Sequence, residues 1–200
     1  MQKHANREKI FLVVVIAAIL VMVGLMANRA YENHNLTQRL KGEEIYMFRD
    51  TYSFYEPVAG DNEIGAYYMV CEPVDDKAQL VEKLERLMKE KQVVQGAKDF
   101  YGSKLGGEFG YNNLSISVDF YEPSKKFPIG WQPEEGLSIE DYQEISDYLL
   151  MSINMPWDAE SEDEHTYYFW RQNTPFRYLT HDTYKRQTQE DGSFVLIPKN

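Results

Sequence analysis

The chain has 200 residues, 32 of them acidic and 21 basic, a formal net charge of −11 and a single cysteine. That balance argues against nucleic acid and anionic lipid surfaces as partners held by charge, and one cysteine excludes an internal disulfide. Stability must come from a hydrophobic core, which a domain of roughly 160 residues is large enough to bury.

Residues 1–9 form a short tail carrying Lys3, Arg7 and Lys9, and Ile10 to Ala27 then run uncharged for eighteen residues, twelve of them Ile, Leu, Val or Phe. As a helix this run spans roughly 27 Å, close to the ~30 Å hydrocarbon core of a bilayer. It predicts a single transmembrane helix, with the bilayer as its partner. Cleavage after Ala27 would place Leu25 at the position that needs a small residue, and cleavage after Ala30 would place Asn28 there. The run is therefore read as an uncleaved signal anchor. Positive charges flank both ends, and the α-amino group tips the expected orientation toward a cytoplasmic amino terminus and an outward C-terminal part. Without Lys3, Arg7, Lys9 and Glu8, that remaining part has a net charge of −13. The expected location is the cell membrane, single-pass.

Residues 28–42 show no apolar period and are read as a stalk, leaving residues 43–200 as one extracytoplasmic α+β domain. Strands are expected over Ile45–Tyr55 and Gly65–Cys71, with a turn region at Pro57, Gly60, Asp61 and Asn62. A helix is expected over 76–92, because Leu80, Val81, Leu84, Leu87 and Met88 make one stripe and Asp75 or Asp76 can cap it. On its polar face Glu82 with Arg86 and Glu85 with Lys89 are spaced as ion pairs. Leu114–Tyr121 alternates apolar and polar residues, as a strand with one buried face does. A second helix is expected from Ser138 through Tyr142, Ile145, Tyr148 and Leu149 to Ser152. Strands follow at Thr166–Arg171, Phe176–Thr180 and Phe194–Ile197, with Asp191-Gly192 as the last turn. The expected architecture is α+β: an antiparallel or mixed sheet with two main helices on one face, an order that also fits ferredoxin-like layouts.

Phe54-Tyr55-Glu56-Pro57 recurs as Phe120-Tyr121-Glu122-Pro123, and Cys71-Glu72-Pro73 repeats part of it. Proline cannot continue a central ladder, so the default reading is three strand terminators. The chemical alternative pairs Glu56, Asp119 and Glu122 as catalytic carboxylates in an envelope hydrolase. His165 and His181 with Asp163 and Asp182 contain the donor types of a metal site, against a default of ordinary surface histidines. The acidic run 158–165 lacks the glycine and spacing of a calcium loop, and the glycines at 102, 106, 107 and 110 lack the Gly-Lys-Ser/Thr of a phosphate loop. No nucleophile motif occurs, and Cys71 reads as a packed strand residue. No cofactor is expected.

Fifteen tyrosines, ten phenylalanines and three tryptophans occur in clusters, which in strands puts rings on both faces of a sheet. Trp131, Trp157, Tyr168 and Trp170 are therefore the candidate binding residues, for a protein surface or, alternatively, a cell-wall glycan or small ligand. The leading expectation is a non-catalytic anchored protein that binds a protein partner, as an accessory subunit of an envelope complex or as an immunity-type protein facing a basic toxin.

Overall fold

The computed structural model describes residues 14–28, 31, 40, 42–48, 52–58, 61–105, 114–132, 144–171 and 180–199. The chain divides into two compact units, Met1–Lys41 and Gly42–Asn200.

In the first unit residues 14–28 form a helix, α1, whose apolar side chains are largely exposed. Among the described residues no helix is long and apolar enough to cross a membrane. The apolar run predicted to span begins at Ile10, and residues 10–13 lie outside the described residues.

The second unit is a mixed α+β fold. Its strands are β1 (Ile45–Met47), β2 (Ser53–Val58), β3 (Asp61–Val70), β4 (Leu114–Tyr121), β5 (Leu149–Pro156), β6 (Thr166–Arg171), β7 (Thr180–Thr188) and β8 (Phe194–Pro198). All eight join one sheet in the order β1-β3-β4-β5-β6-β7-β8, and β2 pairs with β3 alongside β1. Only β3 and β4 run parallel; every other neighbour is antiparallel. A parallel pair needs a long crossover, and here it is helical. Helix α2 (Lys77–Glu90) and helix α3 (Val93–Phe100) follow one another between β3 and β4.

Helix α2 begins where the Asp76 carboxylate accepts the Gln79 N–H at 2.9 Å, and its stripe of Leu80, Val81, Leu84, Leu87 and Met88 is buried as expected. Gln92, held at φ 53°, breaks the helix from α3 and turns the chain. Both helices cover one sheet face, where Ile64, Ala66, Tyr68 and Val70 of β3 meet Ile116, Val118 and Phe120 of β4 and Met151, Ile153 and Met155 of β5. The opposite face has its own aromatic cluster at the β1 end. There Phe48 packs edge-on against Tyr121 at 5.4 Å and tilted against Trp131 at 5.7 Å, and Phe127 meets Trp131 edge-on at 4.8 Å.

Several expectations are corrected. The predicted second helix ends early: residues 144–145 are helical and Ser146–Tyr148 is a single 3₁₀ turn, but Leu149–Pro156 is strand β5. Met151, Ile153 and Met155 alternate as well as the upstream residues repeat helically, and pairing with β4 decides between the two periods. The helix beside α2 is instead α3, so the ferredoxin-like order fails. Pro57 lies inside β2, at a register irregularity between Tyr55 and Val58, where an edge strand tolerates it. The predicted strand Phe176–Thr180 lies outside the described residues except for Thr180, which opens β7. The ion pairs of α2 also differ: Arg86 binds Glu44 and Glu90, and Lys89 binds Glu162.

Candidate functional site

Alternation along four neighbouring strands builds a polar and aromatic patch on the sheet face away from the helices. Asp119 sits directly across from Ser152, Ser152 from Tyr168, and Tyr168 from Thr183, so one row crosses β4, β5, β6 and β7. Trp170 and His181 form the next pair along. Ser152 is buried and central: its hydroxyl donates to the Asp119 carboxylate at 2.6 Å and accepts the Trp170 indole N–H at 2.9 Å. His181 is exposed and stands edge-on to Trp170 at 4.8 Å and to Tyr168 at 5.0 Å. Tyr168, Trp170 and Asp119 are half-buried.

This patch is acidic. Burial pushes the Asp119 carboxyl up to about 6, and the Glu63 carboxylate adds to the rise, while hydrogen bonds from Ser152 and Tyr121 oppose it. Burial and Glu63 also raise Tyr168. Three residues singled out from the sequence for different reasons, Asp119, Trp170 and His181, are thus joined to Tyr168 on one face. Ser152 was missed, because a serine alternating with Met151 and Ile153 carries no signal until its neighbours are known.

No family model, curated protein or solved structure matches this chain. Its site therefore rests on its own geometry.

The other candidates separate. Trp131 belongs to the aromatic cluster at the β1 end of the same face. Trp157 lies on the helix side, against Tyr101 at 5.1 Å and beneath the Lys98 ammonium. Glu122 follows the end of β4, with its N–H on the Tyr148 carbonyl, and the side chain of Glu56 lies outside the described residues. Of the proposed metal ligands, His165 binds Glu85, Asp163 binds Thr188 and Asp182 pairs with Lys77, all away from His181. Among the described residues no three His, Cys, Asp or Glu side chains are placed to hold a metal ion.

A second polar centre lies under α2. Glu85 is 5% exposed, and its carboxylate takes hydrogen bonds from the Tyr167 hydroxyl and the Arg186 guanidinium, with His165 Nδ1 at 3.2 Å. Burial and the adjacent Glu85 charge hold the Tyr167 hydroxyl far above its ordinary range, so it stays a donor. Two clefts flank this carboxylate, one of about 550 Å³ bounded by Arg186 and Phe194, the other of about 350 Å³ bounded by Met88, Gln92 and His165. Glu85 was expected on the polar face. The missed signal is its spacing, four residues after Val81 and three before Met88, which places it within the apolar stripe.

Proposed function

We propose that this is a single-pass membrane-anchored protein whose outward α+β domain binds a basic protein partner without catalysis. The observation that carries the binding reading is the juxtaposition of Asp119, Tyr168, Trp170 and His181 on one half-open sheet face. Rings of this kind dominate interface energetics, and their faces attract Lys and Arg side chains. The carboxylates of Asp119 and Glu63 add attraction of the same sign, and the net charge of −13 beyond the anchor would steer a basic partner toward the domain. The anchor is supported by the uncharged run from Ile10 to Ala27.

The test is crosslinking of the full chain in its native membrane, followed by identification of what co-purifies. We expect one stoichiometric basic protein, and we expect His181→Ala or Trp170→Ala to weaken its recovery about tenfold or more. Recovery of no partner, or of one indifferent to both substitutions, would sink the reading. The anchor is tested separately: the full chain should resist alkaline extraction from membranes, and a chain lacking residues 1–42 should be released.

A further inference from the structure

The two edges of the sheet are built differently. One edge of β3 carries the three-residue β1 and the irregular, proline-containing β2, devices that blunt an edge against pairing. The other edge is β8, whose Phe194-Val-Leu-Ile197 run has no charge, no proline before Pro198, and an uninterrupted register with β7. Val195 at 46% and Ile197 at 43% are the exposed large aliphatic residues of the second unit among those described.

The direction in which β8 turns its backbone groups follows from its end bonds. Lys199 N–H donates to the Thr183 carbonyl at 2.8 Å, and Gln189 N–H donates to the Ser193 carbonyl at 2.7 Å. In an antiparallel pair such bonded positions recur every second residue, so Ser193, Val195, Ile197 and Lys199 turn their backbone toward β7. Phe194 and Leu196 therefore turn their N–H and C=O groups outward, and Pro198 its carbonyl.

We propose that β8 pairs with β8 of a second copy of this chain, antiparallel about Leu196, to make one continuous sheet across a two-fold axis. In that register Leu196 exchanges both backbone bonds with its counterpart, and each Phe194 N–H meets the other copy's Pro198 carbonyl. Proline's missing N–H is thus the last position of the ladder. The exposed side chains are self-complementary: Val195 of one copy faces Ile197 of the other, twice. The flanking charges match as well, because Ser193 falls opposite Lys199, which brings each Lys199 beside the other copy's Glu190-Asp191 turn. An isologous contact needs a self-complementary surface of this kind. The inference rests on the edge geometry alone and stands or falls apart from the proposed partner.

The test measures the association state of the full chain in detergent by sedimentation, with circular dichroism to confirm folding. The wild-type chain should be dimeric at tens of micromolar. V195K/I197K sets like charges opposite each other at two exposed positions and should raise the dimer Kd about tenfold or more. V195K/I197E sets opposite charges across the axis and should restore the dimer. A monomeric wild type, or a V195K/I197K chain as dimeric as wild type, overturns the proposal. Failure of V195K/I197E to restore what V195K/I197K removes overturns the antiparallel register about Leu196.

Discussion

At Asp119 the sheet takes a carboxylate partly out of water and gives it one short hydrogen bond, from Ser152. Its proton affinity is higher in the folded state than in the unfolded, so stability falls as pH rises from about 4 through about 6 and the cost is complete above that. A rise from 3.8 to about 6 corresponds to on the order of 3 kcal/mol, which partial exposure reduces to about 1–2 kcal/mol. Asp119→Asn keeps an acceptor for Ser152 and removes the charge, so it should stabilise the protein at pH 7.5 and hardly at all at pH 4. Urea midpoints of both chains at the two pH values measure this; an unchanged difference would show that Asp119 ionises freely. At Glu85 the buried charge is instead compensated by a cation. Glu85→Ala leaves the largely buried Arg186 guanidinium with only the more distant Asp163 and Glu162 carboxylates, at 3.8 and 4.0 Å, and should cost about 3 kcal/mol, whereas E85L/R186M removes both charges and should recover most of the loss. Neither cluster was legible as a cluster. Asp119 and His181 stand out in the sequence as residue types, but the serine and the strand register that join them do not.

Among the elements, α3 depends on one glycine. The Tyr52 hydroxyl donates to the Val93 carbonyl at 2.9 Å, and its ring lies where a Cβ on Gly96 would fall. Alanine in a helix interior is worth about 1 kcal/mol over glycine, but overpacking against a ring costs about 1–3 kcal/mol, so Gly96→Ala should destabilise. In a Tyr52→Ala background the same change should stabilise by up to about 1 kcal/mol, and absence of that sign reversal in thermal melts would refute the contact. Helix α3 itself escaped the sequence reading because Val93-Val-Gln-Gly96 is poor in helix formers; packing of Val93 and Ala97, both fully buried, supplies what propensity does not. Strands β4 and β6 were legible because alternation or aromatic density was unopposed. For β5 two periods overlapped at Tyr148 and Leu149, and only the presence of a neighbouring strand separates them.

Across the whole molecule, the sheet is a βααβ crossover continued by an antiparallel meander from β4 to β8. Strands β3 and β4 are covered on both faces over much of their length, by the helices on one side and by the Phe48, Tyr121 and Phe127 cluster on the other. Their amides should exchange most slowly in hydrogen-exchange measurements, and those of β2, at an irregular edge, much faster. Equal protection across the sheet would contradict the two-sided core. The α+β class was legible from composition and period, since both helix and strand patterns are strong in places. The order of strands was not, because nothing local in Asp61–Val70 states that its parallel neighbour begins at Leu114.

The ion pair between Glu85 and Arg186 joins residues 101 positions apart in the chain. A ribosome adding about 5–20 residues per second needs roughly 5–20 s to cover that distance. During that interval α2 carries a carboxylate in its apolar stripe without the guanidinium that meets it in the folded domain, which disfavours docking of the helix. The helix is therefore expected to settle onto the sheet late in synthesis, once β7 has been made.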